Sequence, residues 1–169
     1  PYDAKKIMEQ NDVVFFAVPA GVTSKLAAPF IQNDFPVIDL SGDFRLKDPK
    51  EYEKWYKKQA APKEELEASC YGLADFYKPD TSYIANPGCY ATATILGIAP
   101  LLLKQLIKLD SLIVDAKSGV SGSGKKLTEN SHYPVINENA LLYKINSHQH
   151  VPEILQQLKK FDSGIESLQ

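Results

Sequence analysis

The order of the first three apolar segments constrains this chain most. Val13-Val14-Phe15-Phe16-Ala17-Val18 is a β-branched and aromatic run closed by Pro19-Ala20-Gly21, the pattern of a buried strand entering a turn. Residues 22–32 have helical character, although Pro29 must shorten or kink any helix there. Pro36-Val37-Ile38-Asp39-Leu40 is a second buried strand. Strand, helix and strand in this order imply a parallel pair. The expected class is α/β, with a partial doubly wound, Rossmann-like parallel sheet. Such sheets collect ligands beyond the carboxyl ends of their strands. Pro19-Ala20-Gly21 and Ser41-Gly42-Asp43-Phe44-Arg45 both lie there.

Downstream, Asp48 can cap a short helix that Pro49 begins and residues 51–58 continue, packed through Tyr52, Trp55 and Tyr56. Residues 60–67 suit a loop with a helical turn. Tyr83-Ile84-Ala85 and Ser111-Leu112-Ile113-Val114-Asp115-Ala116 read as further strands, and residues 91–103 as a buried helix. Residues 152–161 are amphipathic, with Ile154, Leu155, Leu158 and Phe161 on one face. A length of 169 residues suits one domain or one and a half. The net charge of −2 is small and evenly spread, which argues against nucleic acid and membrane surfaces as partners. No apolar stretch reaches the roughly 20 residues of a membrane span. Two cysteines are too few for a disulfide scaffold, and no signal-peptide pattern opens the chain, so a reducing cytoplasm is expected. With no initiator Met, the chain reads as an internal piece of a longer protein.

Four groups of residues can carry chemistry. Cys89, in Asn86-Pro87-Gly88-Cys89-Tyr90, stands at the mouth of the apolar helix. There the free N–H groups and the helix dipole favour a thiolate. The same N–H groups, with the Asn86 amide, can hold an oxyanion. The competing reading of Cys89 is a small buried hydrophobe; Cys70 has only that reading. His148 and His150, in His148-Gln149-His150, offer an acid/base in the physiological range, and Glu153 is placed to orient an imidazole. A hydrogen-bonded loop is the alternative. A metal is not expected, because neither histidine has a third ligand nearby. Gly119-Val120-Ser121-Gly122-Ser123-Gly124-Lys125 nearly matches a P-loop. Lys126, however, stands where a hydroxyl residue would hold magnesium, and no helical periodicity follows. The remaining reading is a backbone cradle for a phosphate or a nicotinamide. Arg45 can bind a substrate phosphate or form a surface ion pair.

Together these stretches resemble one family, N-acetyl-gamma-glutamyl-phosphate reductase, within the aspartate-semialdehyde dehydrogenase group. The matching segments, in the family's order, are Asp39-Leu40-Ser41-Gly42-Asp43-Phe44-Arg45-Leu46, Tyr71-Gly72-Leu73, Asn86-Pro87-Gly88-Cys89-Tyr90, Asp115-Ala116-Lys117-Ser118-Gly119-Val120-Ser121-Gly122 and His148-Gln149-His150-Val151-Pro152-Glu153-Ile154. The resemblance implies an NADP-dependent, homo-oligomeric enzyme of arginine biosynthesis. It would reduce a small acyl phosphate, N-acetyl-L-glutamyl 5-phosphate, to the semialdehyde and phosphate. It implies Cys89 as nucleophile, His150 as acid/base and Glu153 as the partner of that histidine. Arg45, Asn86 and His148 fall on the substrate side. Pro19, Gly21, Ser118, Gly119, Ser121 and Gly122 fall on the cofactor side. Residues 1–82 would be the later part of the NADP-binding domain. Residues 83–169 would be the first part of an α+β catalytic and dimerisation domain. Two features depart from the family: Gln149 stands where many members carry Arg, and no Gly-rich turn precedes Val13. Two other classes remain open: a noncatalytic interaction domain, and a Cys/His hydrolase or acyltransferase that needs no cofactor.

Overall fold

The computed structural model describes residues 2–169. Helix α1 (Ala4–Gln10) is capped by the Asp3 carboxylate, which accepts from Lys6 N–H. It leads into β1 (Val14–Phe16), and β2 (Val37–Asp39) follows. The expected helix between them is broken in two, a 3-10 turn at Thr23–Lys25 and the five-residue α2 (Ala28–Gln32). Pro29 sits in the first turn of α2, so the break falls where the missing proline N–H costs no intrahelical bond. Asp48 caps α3 (Pro49–Tyr56), and α4 (Lys63–Glu67) follows. Strands β3 (Ser69–Tyr71) and β4 (Tyr83–Ala85) complete a four-stranded sheet of order β1-β2-β4-β3, parallel throughout. β3 is short and holds a cysteine, and no alternating run marks it in the sequence.

Helix α5 (Cys89–Leu103) leaves the carboxyl end of β4 after three residues. Its buried residues Ala91, Thr94, Ile95, Ala99 and Leu102 recur every three or four positions, so one stripe faces inward. Against it packs α7 (His150–Leu158), whose buried residues His150, Pro152, Glu153, Ile154, Gln157 and Leu158 include a stripe of the same period. Ile95 and Leu158 are fully buried at this contact, each stabilising the fold by about 1.5–3 kcal/mol. One core cluster lies around β1, β2 and α2, with Phe16, Phe30 and Tyr83. A second joins Tyr71 and Leu73 to α5, α7 and Ile165.

The strand expected over residues 111–116 does not form. A 3-10 turn occupies Leu109–Ser111, and only Gln169 lies alongside, accepting from Val114 N–H and donating to the Leu112 carbonyl. A strand needs a ladder as well as β-branched residues, and one neighbouring residue supplies no ladder. Ile113 is accordingly exposed. Residues 118–124 carry only a 3-10 turn, Val120–Ser123, with neither a strand before it nor a long helix after it, so the P-loop reading fails. α6 (Tyr133–Ile136) is a single turn.

Candidate active site

The sheet brings three strand exits to one edge. The Asn86 N–H donates to the Asp39 carbonyl at 2.8 Å, and the Gly72 N–H to the Ala85 carbonyl at 2.9 Å. β4 then runs through Asn86-Pro87-Gly88 into α5, with Gly88 as N-cap and Cys89 as first helical residue. Cys89 is exposed and unpaired, whereas Cys70 is half-buried in β3. Cys89 thus stands at the positive end of a 15-residue helix. The Asn86 amide does not face outward as an oxyanion donor. It donates to the Pro87 carbonyl at 3.2 Å.

His150 begins α7 and meets this turn from the other side. A β-carbon added at Gly88 would lie 2.4 Å from His150 Nε2 and 2.5 Å from its Cε1. The imidazole therefore rests on the backbone directly before Cys89, in space that only glycine leaves free. The ring of Tyr90, the residue after Cys89, stands edge-on to both histidines, with centroids 5.3 Å from His148 and 6.1 Å from His150. His148 Nδ1 accepts from the His150 N–H at 3.1 Å. Burial, then His148, Arg45 and Lys144, lowers the pKa of His150 to about 3. Burial and then Lys144 lower His148 as well. Both imidazoles are thereby held neutral at pH 7.

Glu153 lies one helical turn beyond His150 and is fully buried. It was expected to orient the imidazole, but it serves the cysteine turn. Its Oε1 accepts from Gly88 N–H at 2.8 Å and from the Tyr71 hydroxyl at 2.7 Å. Its Oε2 stands 3.8 Å from Arg45 Nη1 without a hydrogen bond. Burial raises the Glu153 pKa, opposed first by Arg45. His150 Nδ1 is buried with no hydrogen-bond partner. Arg45 departs from expectation too. It is 8% exposed, its Nε donates to the Asn86 carbonyl at 2.7 Å and its Nη2 to the Leu40 carbonyl at 2.8 Å. Its guanidinium ties two strand exits together through Nε and Nη2, while Nη1 makes no hydrogen bond.

Beside the histidines opens a cleft of about 400 Å³, lined by Tyr90, Thr94, Tyr143, Lys144, His148 and His150 among others. The hydroxyl of Tyr143, one of its lining residues, donates to that of Tyr90 at 2.7 Å. A second hollow of about 450 Å³, between Ser24, Lys25 and Lys63, shares no residue with this cluster.

Comparison with known families places this geometry. The family model described as semialdehyde dehydrogenase, NAD binding domain, matches residues 1–106, and the model for the semialdehyde dehydrogenase dimerisation domain matches residues 89–169. The chain belongs to the semialdehyde dehydrogenase family. Among its relatives, N-acetyl-gamma-glutamyl-phosphate reductase 2 of Lactiplantibacillus plantarum is 55% identical over 169 residues, covering 100% of this chain and 50% of the relative. The reductase of Limosilactobacillus fermentum is 54% identical over 170 residues, with the same coverage. That of Listeria innocua is 56% identical over 165 residues, covering 97% of this chain and 48% of its own. The chain spans about half the length of these relatives. Among the described residues, no helix is long and apolar enough to cross a membrane, and no cluster of three or more His, Cys, Asp or Glu side chains could hold a metal.

On the expected cofactor side, the structure separates the two loops. Gly21 has φ +82°, a conformation natural to glycine, and leaves room for Lys58. Its N–H is committed, however, to both oxygens of Asp43, at 2.7 and 2.9 Å. Asp43 also accepts from Ser24 N–H, the Thr23 hydroxyl and the Tyr52 hydroxyl. A buried carboxylate of the protein itself thus takes up the N–H groups of the turn after β1. Asp43 was missed as a site residue; its place two positions before Arg45 in a polar strand exit is the only sequence signal. Pro19 is exposed, the Lys58 side chain packs against Gly21, and the Gly21 and Ser24 N–H groups, held by Asp43, do not fit a phosphate. Ser118, Gly119, Ser121 and Gly122 lie on an exposed loop that does not line the cleft. Tyr71 and Tyr143 were also missed as site residues. Both earn their place through contacts between elements far apart in sequence.

Proposed function

We propose that this chain carries the reacting side chains of an NADP-dependent N-acetyl-gamma-glutamyl-phosphate reductase. The observation that carries the reading is the meeting of two helix starts, with His150 of α7 seated on the Gly88 backbone that delivers Cys89 into α5. The names and coverage of the relatives support it. Residues 1–82 form the cofactor-binding part and residues 83–169 the catalytic and oligomerising part of the same proposal.

The neutral His150 takes the proton of the Cys89 thiol, its affinity for that proton raised by the negative charge forming on the adjacent sulfur. The Cys89 sulfur attacks the acyl carbon of N-acetyl-L-glutamyl 5-phosphate; a C–S bond forms, the C–O bond to phosphorus breaks, and inorganic phosphate leaves. The acyl group remains on Cys89 as a thioester, a better hydride acceptor than a carboxylate. The nicotinamide, when bound, supplies that hydride. His150 then returns its proton to the oxygen that develops on the substrate carbon. It recovers the proton as the C–S bond breaks and the semialdehyde departs. His148 and Asn86 bound the substrate side. Arg45 supports the site from beneath, its charge shared with Glu153. Pro19 and Gly21, with Ser118, Gly119, Ser121 and Gly122, are the segments assigned to the dinucleotide, though not through the Gly21 N–H, which Asp43 holds.

The test is phosphate-dependent reduction of NADP by N-acetylglutamate semialdehyde, in the full-length polypeptide carrying these residues. Wild type should turn over and Cys89→Ser should not. Full activity in Cys89→Ser would refute the covalent route. Thioester hydrolysis independent of NADP would support a hydrolase instead.

A further inference from the structure

We infer that Tyr71 is a positioning residue for the nucleophile, acting through Glu153 and Gly88. The function proposed above supplies the reaction in which this matters. Tyr71 ends β3, in register with Ala85 of β4, so the sheet sets its side chain beside the exit that leads to the cysteine. Its hydroxyl and the Gly88 N–H converge on one oxygen, Glu153 Oε1, at 2.7 and 2.8 Å. Gly88 is the N-cap of α5 and the seat of the His150 ring. One buried carboxylate oxygen therefore fixes the residue that places both Cys89 and His150. Tyr71 fixes that oxygen in turn.

The neighbouring groups leave Tyr71 with this task. Glu153 Oε2 has no hydrogen bond, and Arg45 Nη1 stands 3.8 Å from it. Without the Tyr71 hydroxyl, the only hydrogen bond left to the carboxylate is the one from Gly88. The Glu153 side chain could then swing toward Arg45 and carry the Gly88 N–H with it. Sequence reading gave Tyr71 no role, because 82 positions separate it from Glu153.

Tyr71→Phe removes one oxygen and leaves the ring in the core. The control is Tyr77→Phe. Tyr77 packs against the same core cluster, and its buried hydroxyl has no partner. Two readouts apply to the full-length polypeptide. The first is kcat and KM for phosphate-dependent NADP reduction. The second is the rate of alkylation of Cys89 by iodoacetamide, relative to Cys70, across pH 6–9. Losing a hydrogen bond to a charged group should lower kcat of Tyr71→Phe roughly tenfold with KM nearly unchanged. It should also shift the Cys89 alkylation profile while Cys70 stays as in wild type. Tyr77→Phe should match wild type in both. A Tyr71→Phe enzyme with wild-type kcat and alkylation profile would overturn the inference. So would an equal loss in Tyr77→Phe, which would mark a general effect of core polarity. If the wild type performs no reduction, the proposed function fails, and the alkylation profiles still decide the role of Tyr71.

Discussion

Replacing Gly88 by alanine tests the site at its narrowest point. Gly88 has φ −67° and ψ 150°, extended backbone that alanine adopts without strain. Removing glycine should even favour folding by about 0.4–1 kcal/mol through the unfolded chain. Against this stands the contact of the new β-carbon with His150, 2.4 Å from Nε2, 2.5 Å from Cε1 and 2.8 Å from Cδ2. Ordinary contact begins at 3.4 Å, so ring and turn must part by about 1 Å. The ring has little freedom, being 8% exposed. Over-packing of this kind costs about 1–3 kcal/mol. The larger effect falls on turnover, since a 1 Å misplacement of reacting groups costs on the order of 100-fold. The expected result in the full-length polypeptide is therefore a modest fall in melting temperature with kcat/KM down roughly 100-fold. A variant retaining activity within threefold of wild type would refute the claim that His150 works from its seat on Gly88.

Four other outcomes follow from the same geometry. The exposed Cys89 at the α5 N-terminus should react with iodoacetamide faster than the half-buried Cys70 at neutral pH, read by peptide mass spectrometry; equal rates would contradict the assignment. His150 falls from an ordinary pKa of 6.5 to about 3 on folding. The unfolded chain therefore binds more protons between those values, and stability present above pH 6.5 is lost as pH falls toward 3. Glu153, with its raised pKa, acts in the opposite sense. His150→Asn should therefore flatten the loss of melting temperature between pH 7 and 5, and an unchanged slope would be the contrary result. Leu158→Ala, at a fully buried position between α5 and α7, should cost about 2–5 kcal/mol in urea unfolding. Asp43→Asn exchanges one acceptor for a donor facing Gly21, Ser24, Thr23 and Tyr52, and should lose about 1–3 kcal/mol.

Local pattern determined part of this protein. The β-branched runs before Pro19 and at Val37-Ile38-Asp39 place two strands, their order demands a parallel pair, and Pro87-Gly88 ahead of an apolar run puts Cys89 at a helix start. These are short-range facts, set by side-chain shape, proline and glycine. The same logic fails at residues 111–116, because β propensity needs a partner strand, and partners are long-range. It also does not show which groups Glu153 and Arg45 reach. Their spacing along the chain suggests roles toward His150 and a substrate, yet burial directs each to whatever polar group lies nearest in space. Only the packing of α5 on α7, with β3 set beside β4, brings Gly88, Tyr71, Glu153 and His150 to one point. A buried charge must find its partners among neighbours, and neighbours are created by the fold.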